Sequence, residues 1–413
     1  MQQSVVKSAR EEELQSLRRP WRRVRLRWLL LPLLALMVGA PAGRWFYSSW
    51  RGVSVADFNR ECRELSTRQK WRELSELSEK WSNIEPARAE PWLYRAGAAE
   101  GLEDWAGVVQ YLDRVPRDDR RAVGALVRKA VAEFEQLNRP WDGLRTCDEV
   151  LELEPRVLIA HKQVIFFDAM TLQRAEMVRR IRRAIEVRRE SPESYVYLVS
   201  ASWFYSGSLY RHNTRWLEGD PDDETFQVAQ ALQVYTSQAK SDLERAADFE
   251  HIPPAEELLL KYPHNLELVA YFLNRSITDG DLERVQMLLQ AVPSDRADAD
   301  ARFWRARAWC EDALGDLESA ERSLRRAFAL DPYWWQIHFQ LHDLLRRLGR
   351  PDESARYLEI YKVSKDLSTA IMTMNRSEEG FDDPEFSRSL LKLAELVGDD
   401  EVTVALRQRA SPR

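Results

Sequence analysis

Cysteine and catalytic motifs are scarce in this sequence, and glycine is low for its length. Only 15 of its 413 residues are glycine, and none builds a Gly-rich phosphate loop or a GxSxG nucleophile elbow. No Cys/His pair stands in motif spacing, and no paired carboxylates stand out from the surface Glu and Asp. Catalysis therefore has no residues to rest on, and neither an enzymatic activity nor a cofactor is expected. The three cysteines, Cys62, Cys147 and Cys310, lie far apart with no CxxC or Cys/His ligand spacing. They neither staple a fold nor build a zinc site, and are expected as small buried thiols. A net charge of −6 is modest and argues against a nucleic-acid binder that depends on whole-protein charge.

What is present is charge, aromatics and helix formers. Charged residues make up 31% of the chain, with Leu, Ala, Arg and Glu abundant, a mixture that suits a mostly helical protein. The length exceeds what one compact core organises, so either two or three domains or a repeat array whose core grows with length is required.

One segment breaks the polar pattern. Residues 28–47, WLLLPLLALMVGAPAGRWFY, are apolar apart from Arg44 near the end. A helix of this length just spans a bilayer core of roughly 30 Å. Arg18, Arg19, Arg22, Arg23, Arg25 and Arg27 precede it, whereas only Arg44 and Arg51 lie close on the other side. The positive-inside rule then keeps the N-terminus in the cytoplasm and exports the rest, with Trp28, Trp45, Phe46, Tyr47 and Trp50 at the interfaces. The competing reading is a cleaved signal peptide, with Ala40-Pro41-Ala42 as the small-x-small site and a secreted or periplasmic product. Against it stand the long N-terminal region with Glu11, Glu12 and Glu13 and the aromatics on both flanks. An uncleaved, single-pass anchor is expected.

Beyond the anchor a period emerges. Gly280, Gly315 and Gly349 recur at intervals of 35 and 34 residues, each followed by a charged helix: DGDLERVQMLLQAV, LGDLESAERSLRRA, LGRPDESARYLEIY. Within 301–334, Trp304, Ala308, Ala320, Leu324, Ala327 and Pro332 fall into a helix–turn–helix register. Small residues allow close helix approach, Trp304 and Leu324 fill gaps, and Pro332 stops the hairpin. This stretch resembles the tetratricopeptide repeat family. Arg307 and Glu311 stand where that family prefers Leu and an aromatic. The register continues more faintly upstream: Leu74, Ser78, Trp81 and Pro86 in 55–88; Trp92, Ala96, Ala99, Val108 and Leu112 in 89–123; Val131, Phe134, Cys147, Val150 and Pro155 in 124–157; Ile165, Met177, Ile181 and Ala184 in 158–191. Between 192 and 265 the phase slips, and GSLYRHNTRWLEGDPDD reads as an extended connection.

The resemblance implies an all-α fold, a right-handed α-solenoid of tetratricopeptide-like helical hairpins, and the apolar run at 28–47 adds one transmembrane helix ahead of it. Its parts are a basic cytoplasmic tail over 1–27, the anchor over 28–47, N-terminal repeats over 55–191 and an irregular helical segment over 192–265. C-terminal repeats over 266–368 and capping helices over 369–413 complete it. No Ser/Gly linker divides the array, so a single continuous superhelix with a polar cap at its free end is expected.

Members of the family usually bind along the concave surface, through the second, fifth and ninth positions of each first helix. Here those are Arg302, Arg305 and Trp309, then Gln336, Phe339 and Asp343, and before them Glu267, Ala270 and Asn274. Arg302, Arg305, Trp309, Phe339 and Asn274 are the candidate residues for a protein or peptide partner, since planar cations and aromatics dominate binding hot spots. The lysine–asparagine carboxylate clamp of some members does not carry over, because Ala270 stands where its lysine would be. An alternative site for an anionic envelope polymer or lipid headgroup is the arginine cluster Arg179, Arg180, Arg182 and Arg183, with a solvated helix face as its plain counterpart. An accessory role to an envelope enzyme is a further alternative. Tyr210, Arg211, His212, Arg215 and Trp216 could grip a partner or pack on a helix. His338 and His342 are spaced to chelate a metal but lack the Glu of a zinc-protease motif, so packing is expected and no metal site. The expected role is a membrane-tethered interaction scaffold displayed outside the cytoplasmic membrane of a bacterial envelope.

Overall fold

The structure is a computed structural model that describes residues 55–203, 205, 210–236, 252–373 and 383–410. The basic tail over 1–27 and the anchor expected over 28–47 lie outside the described residues. Among the described residues no helix is long and apolar enough to cross a membrane. Every regular element described is helical. The helices group into two compact units, one ending at Leu102 and the other beginning at Glu103. The boundary between these units falls among the repeats expected over 55–191.

The first unit holds α1 (Val55–Thr67), α2 (Trp71–Ile84) and α3 (Ala89–Gly101). Leu74, Ser78 and Trp81 form one buried stripe of α2, at the spacing that puts side chains on a single helix face. Trp81 stacks on Phe58 with ring centroids 5.9 Å apart.

The second unit begins with α4 (Trp105–Asp113), α5 (Ala122–Val131, running into a π-helical turn at Ala132–Gln136), α6 (Pro140–Leu153), α7 (Leu158–Met170) and α8 (Arg174–Glu186). The irregular stretch contributes α9 (Pro192–Val199), α10 (Tyr210–Leu217), α11 (Glu224–Thr236) and α12 (Ala255–Lys261). Then come α13 (Leu266–Asp279), α14 (Leu282–Ala291), the short α15 (Ser294–Ala297), α16 (Ala301–Ala313), α17 (Leu317–Leu330), α18 (Trp335–Arg347) and α19 (Pro351–Thr373). Helices α20 (Pro384–Val397) and α21 (Asp400–Ala410) end the described chain. Consecutive helices pair as hairpins: α5 with α6, α7 with α8, α13 with α14, α16 with α17 and α18 with α19. Ala308, Ala320, Leu324 and Ala327 are buried as the repeat register requires, and so are Val108, Leu112, Phe134, Cys147, Val150, Ile165, Met177, Ile181 and Ala184 upstream. Val131 is the exception at 47% exposed, one position off the Leu126–Ala130–Phe134 stripe.

The repeat is also written in the backbone. Gly280, Gly315 and Gly349 all have φ between 72° and 82°, the left-handed conformation that closes each hairpin. Gln69, Glu103, Asn138 and Leu172 adopt the same conformation, with φ from 51° to 59° and intervals of 34, 35 and 34 residues. The helix that follows is started by an aspartate cap, as Asp104, Asp281 and Asp316 accept from the amides of Gly107, Arg284 and Ser319. After Asn138 and Gly349 the next helix opens instead on a proline, Pro140 and Pro351, whose missing N–H costs nothing in the first turn.

Two further expectations are corrected. The stretch expected as an extended connection contains the helix α10, because Trp216 and Asn213 are buried against α7 and α11: Asn213 Nδ2 donates to the Met170 carbonyl at 2.9 Å and to Gln233 Oε1 at 3.0 Å. The C-terminal helices do not cap a free end. Helix α21 packs on α8 within the second unit, where Arg182 forks onto Asp399 at 2.5 and 2.9 Å and reaches Glu401 at 3.1 Å. Tyr333 donates to the same Asp399 at 2.7 Å. Arg174 of α8 reaches Glu267 of α13 at 2.9 Å, and Ser202 bonds Asp331. Early and late repeats share one core, with Met177, Ile181, Tyr195, Tyr333, Leu393 and Leu406 in the same cluster. The three cysteines are free and buried, and burial lifts their thiols to about 12, 12 and 11, so they are inert packing residues.

Candidate protein-binding face

Helix α16 starts at Asp300, whose carboxylate accepts from the Arg302 amide at 2.8 Å. Spacings of three and four residues then place Arg302, Arg305 and Trp309 along one stripe, flanked by α13 on one side and α18 on the other.

Arg302 is not available to a partner, which corrects its place among the candidates. Its side chain is 7% exposed, and Nη1 and Nη2 fork onto Glu267 at 2.8 and 2.5 Å. Nη2 also reaches Asp300 at 2.6 Å. Burial works to raise the Glu267 carboxyl, but Arg302 and Arg174 outweigh it and hold the group at about 2. Burial likewise opposes the Arg302 charge, and Asp300 and Glu267 reverse that and push it well above its ordinary value. Two guanidinium groups and two carboxylates therefore neutralise one another inside the packing.

Arg305, one turn on, is just as buried at 8% exposed but meets no acid. Nε donates to Gln340 Oε1 and Nη1 to Asn274 Oδ1, each at 3.2 Å, and the guanidinium lies over the Trp334 ring, 5.1 Å from its centroid. Among the described residues no carboxylate pairs with it, and burial alone pulls its value down to about 10. Nη2 makes no hydrogen bond among the described residues and is not sealed from solvent. A guanidinium only donates, so the two amide oxygens must turn toward it and both amide nitrogens turn away as donors. The Trp334 indole Nε1 is buried with no acceptor as well.

Asn274 is exposed and is brought onto Arg305, as the register suggested. Trp309 is half-buried against the core shared by α13 and α16. Phe339 occupies on α18 the register position that Arg305 occupies on α16. It is 47% exposed, with its ring 5.2 Å from Tyr361. Gln340 and Trp334 escaped sequence reasoning because neither sits at the second, fifth or ninth position. A polar residue next to Phe339 and a tryptophan just before the helix carry no local signal.

The arginine cluster of α8 is corrected as an anionic-ligand patch. Arg180 is buried, forking onto Asp148 at 2.7 and 3.1 Å and reaching Asp168 and Glu176 at 3.0 Å. Arg182 is held by Asp399 and Glu401, and Arg179 pairs with Glu176. Arg183 is exposed. His338 is fully buried, bonded to Ser364 at 2.9 Å and to the Pro332 carbonyl at 2.9 Å, and burial lowers it to about 4. His342 bonds Ser354. Among the described residues no group of His, Cys, Asp and Glu is placed to hold a metal. In α10, Trp216 is buried, His212 packs edge-on against Phe166 and Arg215 donates to the Phe134 carbonyl at 2.9 Å, so these residues serve packing.

No protein-family model and no curated protein matches the chain. Among solved structures it is similar to the C-terminal part of a TPR repeat-containing protein from Cytophaga hutchinsonii, at 12% identity and TM-score 0.28, over 68% of this chain and 99% of that one. It is also similar to the Cut9–Hcn1 hetero-tetramer of the APC/C, at 12% identity and TM-score 0.29, over 87% and 81%. Yeast Tom70 matches at 14% identity and TM-score 0.26, over 86% and 90%. Likeness of this degree carries no argument. The tetratricopeptide-like assignment stands on the hairpins, their turns and their period.

Proposed function

We propose that this chain is a protein-interaction scaffold, tethered to a membrane by residues 28–47 with its repeats on the exported side. It acts by binding and not by catalysis. The observation that carries the reading is the face built by α13, α16 and α18, where Phe339 and Asn274 stand exposed beside a cation that the chain does not neutralise. Aromatic and arginine side chains are the residue types that most often anchor protein partners. Confinement to a membrane surface raises the local concentration of whatever binds. The right-handed superhelical course implied by the family resemblance would place this face on the inner, concave side. The anionic-polymer reading is not favoured, because three of the four arginines it needs, Arg179, Arg180 and Arg182, are paired with the chain's own acids and Arg183 alone stays exposed.

Proximity labelling of the full-length chain in its own cell, repeated with Phe339→Ala and Trp309→Ala together, tests the face. Loss of a specific set of labelled neighbours is expected, and an unchanged set contradicts it. Protease protection of intact cells tests the topology: cleavage of the repeats only after the outer compartment is opened to protease, with the tail 1–27 protected, is expected.

A further inference from the structure

We infer that the turn Asp331-Pro332-Tyr333 between α17 and α18 is a clasp that holds the early and late repeats of the second unit together and tightens on acidification. Each of its three residues reaches a different part of that unit. Asp331 Oδ2 is bonded to the hydroxyl of Ser202, just past the end of α9. The Pro332 carbonyl meets His338 Nε2 at 2.9 Å, inside the α18–α19 hairpin. The Tyr333 hydroxyl donates to Asp399 at 2.7 Å, the carboxylate onto which Arg182 of α8 forks. Ser202 is itself positioned from α8, because Arg174 Nη1 donates to the Ala201 carbonyl beside it. Three consecutive residues therefore join α9 on one side to α21 and α8 on the other.

The two acids of the clasp are held differently. Asp399 has a cation, Arg182. Asp331 is buried and receives only neutral donors, the Ser202 hydroxyl and the Tyr333 amide at 3.1 Å. The charged groups that face it come from α8 and from the start of α16. Arg174 is the favourable one, but its Nε is bound to Glu267 at 2.9 Å. Asp300 is unfavourable, although Arg302 is bound to it. His338 is buried with Ser364 in the α18–α19 hairpin, which opening of the clasp leaves intact. A buried carboxylate with neutral donors alone is better accommodated as the neutral acid. In that form it keeps both bonds: Oδ1 accepts from the amide, and Oδ2–H donates to the Ser202 oxygen. Burial accordingly raises the group from 3.8 to about 6, with the Ser202 bond pulling back.

Above 6 the same closed arrangement carries a buried charge without a counter-ion. Taking 3.8 for the group once the turn is open to water, linkage makes closure about tenfold more favourable at pH 5 than at pH 7.5. Opening uncovers the core shared by Ile181, Tyr195 and Leu406. Any use of the clasp outside the cytoplasm rests on the topology proposed above, whereas the clasp itself does not.

Hydrogen exchange of the full-length chain in detergent, followed by mass spectrometry and corrected for intrinsic exchange rates, tests it. Amides of α9 and α21 should be about tenfold better protected at pH 5 than at pH 7.5, relative to α1–α3 of the first unit. Asp331→Asn fixes the neutral form and should keep the pH 5 protection at both values. Ser202→Ala removes the bond that pulls the group down and should move the midpoint of the change to higher pH. Should Asp331→Asn not fold, that shift carries the test. Equal protection of the parent chain at both pH values overturns the inference, and so does protection that falls toward pH 5, the sign that charging of His338 would give. A pH response that survives Asp331→Asn, or a midpoint that Ser202→Ala leaves in place, overturns it as well. No partner enters the measurement, so it fails or holds independently of the binding face.

Discussion

Helices α8 and α16 both carry several arginines, and they use them in opposite ways. In α8, Arg179, Arg180 and Arg182 stand within one turn and look in the sequence like a cationic surface. Each is claimed by an acid of the same chain, Glu176, Asp148 with Asp168, or Asp399 with Glu401. In α16 the charge density is lower, yet Arg305 has no acid beside it among the described residues. Availability of a charge is decided by what packs opposite it, and arginine count along a helix does not report that. Arg302 makes the point within α16 itself, since the acids that silence it come from a neighbouring helix and from its own N-cap.

The sharpest way to break this comparison is to remove Arg302. Arg302→Met leaves Glu267 buried with Arg174 as its one remaining cation, and breaking such a pair costs about 3–5 kcal/mol. Urea unfolding of the second unit should show the loss directly. The same cluster sets an acid limit. Glu267 is held at about 2 against an ordinary 4.5, so its stabilisation is complete above 4.5 and is lost as the pH falls toward 2. Asp331 runs the other way: burial raises it from 3.8 to about 6, with the Ser202 bond pulling back, so protonation below 6 favours the folded chain. Asp331 thus adds stability as the pH falls through 6, against His338, which burial holds at about 4 and which costs stability below its ordinary 6.5, and Asp331→Asn should remove that gain in a pH series of melting curves.

A smaller loss is expected where α21 meets α8. Arg182→Ala removes a charged fork onto Asp399, worth about 1.5–3 kcal/mol. Hydrogen exchange should show α21 loosening before the rest of the second unit, and a uniform change would contradict the contact. Smaller again are the turns. Gly315→Ala meets no atom within 4 Å, so its cost is the left-handed backbone alone, roughly 1–2 kcal/mol. Gln69→Gly relieves the same strain and should stabilise the first unit by roughly 0.5–1 kcal/mol, less the entropy glycine brings to the unfolded chain.

These turns also show how much was legible beforehand. Where glycine occupies the left-handed position, at 280, 315 and 349, the period is plain in the residues. Where Gln69, Glu103, Asn138 and Leu172 occupy it, the backbone keeps the beat but the letters do not. The buried stripes followed from small and apolar residues at helical spacing, so the hairpins were readable. Contacts such as Arg182 with Asp399 and Arg174 with Glu267 join residues far apart in the chain and leave no local pattern. For that reason the return of α21 onto α8, the silencing of Arg302 and the pairing of Arg305 with Gln340 needed the structure. Helix α10 carries little local signal, because its packing rests on Trp216 and Asn213 amid polar residues.

The most direct test pairs two substitutions of like size at like burial. Arg302→Met and Arg305→Met, each unfolded in urea beside the parent chain, should separate widely. The account predicts a loss of about 3–5 kcal/mol for Arg302→Met and no loss, or a small gain, for Arg305→Met, since removing a buried cation that lacks an acid removes a penalty. Equal losses from the two would mean that Arg305 is already neutralised within the chain, and would contradict the account.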